Sequence, residues 1–357
     1  MLRSVPVPEA PAPPTAERLL ELIGRMQGRP VVVVADLVVD RFVSGVPKRI
    51  SREAPVLILR YEGERVAPGG GANAVANIAA LGGRPLPLGV VGDDAGGRDL
   101  LADLQARGIR TEGIRVRPGY HTPTKTRILG GAKGTIKQQI VRLDVEEPLT
   151  LEEADRAHFR ELLATAGGGA AVAVLSDYGY GAVELALVDE LRRALPGALL
   201  LCDSRFRLAE LRGVDAATPN EEEAEALYGG GLEPAGGGPE ALHRAGGVLL
   251  ERLGLRFLLI TRGSRGMSLF LPGRSAHLPV HGSAQVADVT GAGDTVMGAF
   301  ALALAAGGSP IEAAALANFA GGVVVMKTGT ATASREELEE AVVSDPAPLV
   351  ELRWVES

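Results

Sequence analysis

The sequence contains only one cysteine, Cys202, among its 357 residues. A single cysteine excludes an internal disulfide framework and any metal site built from several cysteines. The chain also lacks a run of about eighteen uncharged apolar residues, so we expect no segment to span a membrane. Its N-terminus shows no charged-then-apolar signal pattern, and these absences together predict a soluble, cytoplasmic protein.

Basic residues are too few for a nucleic-acid-binding surface. The 37 Lys and Arg residues are outnumbered by 44 Asp and Glu residues, which gives a formal net charge of −7. Nucleic acids and anionic membranes are bound by basic stripes, so we expect neither as a partner. If the chain binds an anionic ligand, local backbone amides, a few cations and a metal ion must supply the attraction.

Apolar β-branched runs alternate with helical segments along most of the chain. Val31–Val34 predicts a buried parallel strand, and Thr15 can cap a helix over Ala16–Met26. Strands that alternate with helices of about ten to fifteen residues are typical of a mostly parallel sheet with helices on both faces. We therefore expect an α/β domain over residues 15–345. Pro/Ala-rich residues 1–14 and residues 346–357 are predicted as tails.

Two segments, 42–66 and 122–145, interrupt this alternation. The first contains no helix signal, and the second alternates short β-prone pieces around several glycines. Both predict antiparallel ribbons that are inserted into the α/β core and form a small β-lid. Because exposed ribbon edges pair readily, we expect a homodimer through the lids.

The strongest chemical signal is the stretch Asp288-Val-Thr-Gly-Ala-Gly-Asp294, which leads directly into an apolar helix. The N–H groups of Ala292, Gly293 and Asp294 would form an anion hole, and glycine at 291 and 293 would let a phosphate approach closely. The Asp294 carboxylate could accept a proton from an attacking hydroxyl, as phosphoryl transfer requires. An ordinary helix cap after a glycine turn is the alternative. The stretch is not a Walker A loop, because no Gly-Lys-Ser/Thr follows it at the required spacing.

A second glycine-rich turn, Pro68-Gly-Gly-Gly-Ala-Asn73, also enters an apolar helix. The amides of Gly70 and Gly71 and the side chain of Asn73 could form a polar cradle for a hydroxylated ligand. A tight turn capped by Asn73 is the alternative, and for this motif alone it is the favoured one.

Taken together, the two motifs resemble the paired signatures of the PfkB, or ribokinase-like, carbohydrate kinase family. The resemblance runs from about Val31 to about Val342. It implies a ribokinase-like three-layer α/β/α sandwich with a β-lid over the sugar. It also implies ATP as co-substrate, Asp294 as the catalytic base, and an anion hole at Gly291–Gly293 over the transferred γ-phosphate.

Within that family, several further stretches resemble the heptose 7-phosphate kinases, which phosphorylate the anomeric hydroxyl on the way to ADP-heptose. Among them are Thr124-Lys-Thr-Arg127, Gln138-Gln-Ile-Val-Arg142-Leu-Asp144 and Ser176-Asp177-Tyr178. The resemblance implies substrate contacts at Asp177, and at Asp36 and Asp40, which follow a strand where open α/β sheets bind ligands. Arg142 or Lys125 is a candidate partner for the sugar phosphate. The chain shows no H-x-G-H-type nucleotidylyltransferase motif, so we expect no second activity.

The nucleotide site is also assigned by resemblance. Asn220 and Glu223 begin a helix and would order Mg²⁺ and the ATP phosphates, with Glu223 acting directly or through water. The stretch Thr261-Arg262-Gly263-Ser-Arg-Gly266 resembles the nucleotide edge of the family, and Asn318 is placed near the adenine. For these residues, an acidic first turn at 220–223 and a packed amide at Asn318 are the structural alternatives.

Three positions depart from the heptose kinase pattern. Tyr180 replaces a lysine, Asp203-Ser204-Arg205 replaces Asp-Pro-Lys, and Ala35 replaces a glycine. If the missing lysine contacts an anionic group of the substrate in the heptose kinases, the phosphate of this chain's substrate occupies a different position. The sequence therefore predicts an ATP- and Mg²⁺-dependent heptose 7-phosphate kinase. A PfkB kinase for another sugar and a catalytically weak sugar- or nucleotide-binding regulator remain as alternatives.

Overall fold

The computed structural model describes residues 12–132, 134–135, 137–165, 167–233, 237–282 and 286–356. Of the predicted N-terminal tail, residues 1–11 lie outside this range. The helices are α1 (Ala16–Met26), α2 (Gly71–Ala80), α3 (Ala95–Ala106), α4 (Glu153–Thr165), α5 (Ala186–Ala194), α6 (Glu221–Tyr228), α7 (Gly238–Leu253), α8 (Ala292–Ala305), α9 (Pro310–Val324), α10 (Arg335–Ser344) and α11 (Ala347–Val350).

Over the described ranges, fourteen strands form two sheets. They are β1 (Pro30–Ala35), β2 (Leu37–Ile50), β3 (Leu57–Gly70), β4 (Arg84–Gly92), β5 (Ile114–Arg117), β6 (Thr124–Gly130), β7 (Gln138–Val145), β8 (Val172–Asp177), β9 (Leu199–Ser204), β10 (Ala216–Ala217), β11 (Phe257–Thr261), β12 (Met267–Leu271), β13 (Arg274–Leu278) and β14 (Arg353–Glu356). The larger sheet has the order β14-β13-β12-β11-β10-β9-β8-β1-β4-β5.

The larger sheet is covered by helices on both faces. Strands β4, β5, β1 and β8–β11 are parallel, and β12–β14 add an antiparallel edge. Along β1, Val31 and Val33 join the core that packs on α1, α8 and α9, while Val32 and Val34 join the core under α4, α5 and α7. This alternation of buried side chains makes the chain a three-layer α/β/α sandwich and confirms the predicted fold class.

The smaller sheet is the lid. Its order is β3-β2-β6-β7, with β2 parallel to β6 and the two outer pairs antiparallel. The predicted inserted segments 42–66 and 122–145 include β6, β7 and most of β2 and β3, although β2 and β3 extend beyond 42–66 to cover 37–50 and 57–70. One face of the lid carries Asp40 beside Lys125 and Asp144, because these residues are register partners on β2, β6 and β7.

The C-terminal segment differs from its predicted role as a tail. Residues 346–357 include helix α11 and strand β14, which pairs with β13 and forms one edge of the larger sheet. Its end residues Arg353 and Glu356 are exposed and its central residues Trp354 and Val355 are partly exposed, so no alternating hydrophobic pattern reveals a strand here. None of the described helices is long and apolar enough to cross a bilayer.

Candidate active site

The two glycine-rich motifs meet at one buried carboxylate, Asp294. Helix α8 begins at Ala292, and Asp294 in its first turn is only 4% exposed. Asn73, in the first turn of α2, donates from Nδ2 to Asp294 Oδ2 at 3.1 Å and to the carbonyl of Gly291 at 3.2 Å. The motifs are 221 residues apart in sequence, so the contact depends on α2 packing beside α8.

Tyr178 provides the second hydrogen bond to this carboxylate. The residue follows β8, and its hydroxyl donates to Asp294 Oδ1 at 2.5 Å. Sequence analysis gave Tyr178 no role beyond its place in the Ser176-Asp177-Tyr178 resemblance. Nothing in the local pattern identified it, because the contact spans 116 residues.

Burial raises the pKa of Asp294 from its ordinary value to about 7. The hydrogen bonds from Tyr178 and Asn73 and the charge of Lys125 oppose this rise, whereas nearby Asp40 adds to it. A carboxyl group with a pKa near neutrality is suited to accept a proton and later release it.

One of the three N–H groups of the predicted anion hole already has an acceptor in the protein. Val289 accepts a hydrogen bond from the Ala292 N–H at 3.2 Å, so this amide is already used within the turn. The N–H groups of Gly293 and Asp294 have no acceptor among the described residues. A Cβ atom added at Gly293 would meet no atom within 4 Å, which leaves space for a phosphate above these two amides.

The glycines of the first motif allow close packing at the start of α2. A Cβ atom at Gly71 would lie 2.4 Å from the Cβ atom of Ala35, and one at Gly70 would lie 2.8 Å from the Val38 side chain. Gly70 also has a φ of +50°. The predicted cradle of backbone amides is therefore a place where α2 packs tightly against strands β1 and β2.

Asp36, which was predicted to bind sugar hydroxyls, makes three hydrogen bonds within the protein. Its Oδ2 accepts backbone N–H bonds from Tyr178 and Tyr180 at 2.8 and 2.9 Å, and its Oδ1 accepts one from Ala182 at 2.8 Å. These bonds lower the pKa of the carboxyl group, while its burial raises it more. Asp36 thus holds the 178–182 loop in place.

Asp40 is the acidic residue that faces the site from the lid. It is 4% exposed, and its Oδ1 accepts a hydrogen bond from the Arg127 guanidinium at 2.5 Å. The Thr330 hydroxyl donates to its other oxygen. Arg127 and Thr330 were missed as site residues, although Arg127 lies two positions after Lys125 on β6 and hence on the same face.

Asp177 and Arg262 are occupied by internal contacts. Asp177 accepts hydrogen bonds from the Ser204 hydroxyl at 2.7 Å and the Gly179 N–H at 3.1 Å. Arg262 is paired with Glu221 and Glu233, so it ties the 262–266 turn to the 221–233 region. Both predicted ligand-binding residues therefore have partners within the protein.

Lys125, Arg142 and Arg205 are cations at the lid end of the site that act on one another. Burial lowers the pKa of the Lys125 ammonium, and the like charges of Arg142 and Arg205 lower it further. Arg142 itself is half-exposed and pairs with Asp144 at 2.8 Å. The Tyr180 hydroxyl, at the position where lysine was expected, donates to Glu146 at 2.7 Å.

Two cavities reach the loop that precedes α8. The one on the lid side has a volume of about 670 Å³ and includes Arg127, Asp288 and Thr290. The other has a volume of about 320 Å³ and includes Ala292 and Gly293. Four of the predicted nucleotide residues, Thr261, Gly263, Gly266 and Asn318, also line this second cavity.

Asn220 and Glu223 form the N-terminal capping box of α6, as the acidic first-turn alternative required. Burial raises the pKa of Glu223. Burial also raises the pKa of Asp203, and the negative charges of nearby Asp294 and Glu223 raise it further. Two carboxylates that repel each other fit a divalent cation. The described residues include no group of three or more His, Cys, Asp or Glu that could hold a metal alone.

Comparison with known proteins decides the family. The model of the pfkB family carbohydrate kinases matches residues 30–337. The chain belongs to this family. Its curated relatives include the bifunctional protein HldE of Mesorhizobium japonicum, 40% identical over 345 residues, and that of Methylococcus capsulatus, 42% identical over 326 residues. These alignments cover 94% and 89% of this chain but 66% and 65% of the relatives, so the chain spans about two thirds of their length.

Solved structures of this kinase family share the fold. Arabidopsis thaliana ribokinase complexed with ribose and ATP is 22% identical, with a TM-score of 0.66, over 88% of this chain and 99% of that one. Escherichia coli phosphofructokinase-2 in complex with substrates and products is 20% identical, with a TM-score of 0.70 and the same coverage. At these low sequence identities, the similarity between the structures shows a shared fold and nothing further.

Proposed function

We propose that the chain transfers the γ-phosphoryl group of ATP to the anomeric hydroxyl of a heptose 7-phosphate. The observation that carries this proposal is the position of Asp294. It is a buried carboxylate with a pKa near 7, beside two free helix N–H groups and between a lid-side cavity and a nucleotide-side cavity. A sugar- or nucleotide-binding regulator would gain nothing from the cost of burying this charge.

In this mechanism Asp294 accepts the proton of the sugar hydroxyl. The oxygen then forms a bond to the γ-phosphorus as the bond to the β,γ-bridging oxygen breaks, and ADP leaves with that electron pair. The N–H groups of Gly293 and Asp294 stabilise the charge on the transferred group. The lid covers the sugar, which excludes water and limits ATP hydrolysis.

The adenine and ribose of ATP are assigned to the 320 Å³ cavity. Thr261, Gly263 and Gly266 line one part of it, and Asn318 on α9 lines another, with its Nδ2 donating to the Pro279 carbonyl at 2.7 Å. Asp203 and Glu223 are the residues that would hold Mg²⁺, together with phosphate oxygens. The metal would neutralise charge on those phosphates.

The cations around Lys125 support an acceptor that carries a phosphate. Lys125, Arg142 and Arg205 crowd one another, and an anion placed among them would relieve their repulsion. Lys125 also favours the ionised form of Asp294. We infer that the reacting hydroxyl and the phosphate of one small sugar lie on either side of this lysine. Arg205 retains the charge of the lysine in the Asp-Pro-Lys pattern, whereas Tyr180 leaves the other lysine of the pattern without a cationic replacement.

A coupled assay of ADP release tests the function. With ATP, Mg²⁺ and D-glycero-D-manno-heptose 7-phosphate, we expect turnover that exceeds turnover with fructose 6-phosphate and with ribose. Asp294→Asn should lower the rate about a hundredfold or more while substrate binding is retained. If the wild-type rate with the heptose phosphate were no higher than with the other sugars, the substrate assignment would be wrong. Equal rates for the variant would refute the base.

We also propose a cytoplasmic homodimer in which the outer faces of the lids meet. Tyr61 on β3 and Leu143 on β7 are more than 60% exposed, and Val141 and Val145 continue the apolar row on β7. Leu143→Asp should convert the dimer to a monomer in sedimentation equilibrium. Val343→Asp, an equally exposed position on α10, should leave it dimeric. A monomeric wild-type protein would contradict the proposal.

A further inference from the structure

The hydrogen bond from Tyr178 to Asp294 is a feature that phosphoryl transfer as described above does not use. The phenol is buried, and burial together with the Asp294 charge raises its pKa well above the ordinary value, so the hydroxyl remains a donor. At 2.5 Å from Oδ1, the contact has the length of a charge-assisted O–H···O⁻ bond.

We propose that Tyr178 is a positioning residue for the general base: its hydroxyl fixes the Asp294 carboxylate and keeps it ionised until the sugar hydroxyl arrives. The inference rests on the proposed function, since it requires Asp294 to be the base. Tyr178 need not leave, because a carboxylate offers about four lone-pair positions and Tyr178 and Asn73 take only two.

Contacts on three sides hold the tyrosine ring in position. Its backbone N–H is fixed by Asp36 Oδ2 at 2.8 Å, at the start of the 178–182 loop. The Lys125 ammonium lies 5.2 Å from the ring centroid, within cation–π range. A Cβ atom at Gly70 would lie 3.2 Å from the ring edge, so the backbone of the first motif packs directly on it. Asp36 therefore helps to position the Asp294 carboxylate indirectly, because it holds the loop that carries Tyr178.

The charges that face Asp294 explain why a donor is needed there. Asp40 on β2 opposes the ionisation of Asp294, and the charge of Asp294 raises the pKa of nearby Asp203 on β9. Lys125 on β6 is a cation that favours the ionisation of Asp294. Burial lowers the pKa of its own ammonium group, which disfavours the charged form of Lys125. Burial raises the pKa of Asp294 more than any of these groups changes it. Without the tyrosine hydroxyl, the carboxyl group would be protonated over more of the neutral range and unable to accept a proton.

Tyr178→Phe tests this inference, because it removes the hydroxyl and keeps the ring. The acid limb of kcat/KM, measured with MgATP and heptose 7-phosphate, should move up by about one pH unit. At pH 9 the rate should return to within a few-fold of wild type. Tyr120→Phe is the matched control. It removes another largely buried phenol hydroxyl, one that bonds to the Glu147 carbonyl and not to Asp294.

A second measurement needs no substrate. The ionisation of Asp294 makes the free energy of unfolding depend on pH. The free energy of unfolding of each protein is therefore compared with that of its Asp294→Asn counterpart, and the difference shows the pH at which this dependence ends. That point should lie near pH 7 in the wild type and about one unit higher in the Tyr178→Phe background. Fluorotyrosine at position 178, a stronger donor, should move it in the opposite direction.

The results separate the two proposals. A uniform loss of rate at every pH, or an unchanged end point in the unfolding series, would overturn the role of Tyr178 and leave the kinase assignment intact. An absence of turnover in the wild type would overturn the kinase assignment, and the unfolding series would still test the hydrogen bond.

Discussion

Replacing the base should stabilise the protein, and the gain should depend on pH. Asp294 ionises with a pKa of about 7 in the folded chain and about 3.8 when exposed to water. Between these values the unfolded chain has lost a proton that the folded chain retains, so the free energy of unfolding falls as pH rises. Asp294→Asn removes this loss, because the amide carries no charge at any pH.

The magnitude follows from the two pKa values. A difference of about three units at about 1.4 kcal/mol each corresponds to about 4 kcal/mol above pH 7. Between pH 5 and pH 8, the advantage of Asp294→Asn should grow by about 2 to 3 kcal/mol. In the variant the amide oxygen can accept from Asn73 and the amide nitrogen can donate to the Tyr178 hydroxyl, so both neighbours of the side chain are kept, with Tyr178 as acceptor instead of donor.

Urea unfolding at pH 5, 6, 7 and 8, without substrates, measures this difference. Asp189→Asn on α5 is the control, because it makes the same chemical change at an exposed position. An Asp294→Asn advantage that stays constant across the series would refute the assigned burial and pKa. A variant less stable than wild type at pH 8 would refute the claim that the buried charge is costly. Such a cost is expected where function requires an unfavourable arrangement.

Three further predictions concern other parts of the site. Gly71→Ala should lower the free energy of unfolding by about 1 to 3 kcal/mol in urea, because its methyl group would overlap the side chain of Ala35. Arg142→Ala should raise KM for the sugar phosphate about tenfold and leave KM for ATP unchanged in the same ADP-release assay. Glu223→Gln should raise the Mg²⁺ concentration needed for half-maximal rate, and EDTA should abolish wild-type turnover.

The sequence was most informative where the chemistry depends on neighbouring residues. The helix start at 292–294 follows from a glycine turn that leads into an apolar run, and the nucleotide-side cavity collects four residues placed by motif. Thr15 caps α1 as predicted, accepting a hydrogen bond from the Arg18 N–H at 3.2 Å. Such features depend on hydrogen bonds within about four residues, which a sequence pattern records.

Side-chain partners distant in the chain could not be predicted in this way. The sequence places Asp36 at the end of a strand but does not reveal that a loop more than 140 residues later takes both carboxylate oxygens. The partners of Arg262 were equally hidden from the sequence, because Glu221 and Glu233 are 41 and 29 residues away along the chain. Where several acceptors are chemically equivalent, packing selects the partner, and packing is a property of the whole fold.

The site also changes what the two family motifs are understood to do. Both glycine-rich turns were expected to open the backbone toward ligands, yet Gly291 has a φ of +78° and a Cβ atom there would lie 2.5 Å from Asn73 Nδ2. Gly71 likewise allows α2 to approach β1. Because Asn73 then bonds both the Gly291 carbonyl and Asp294, the first motif acts on the chemistry through the second. A substitution in either turn should therefore alter the pKa of the base as well as ligand affinity.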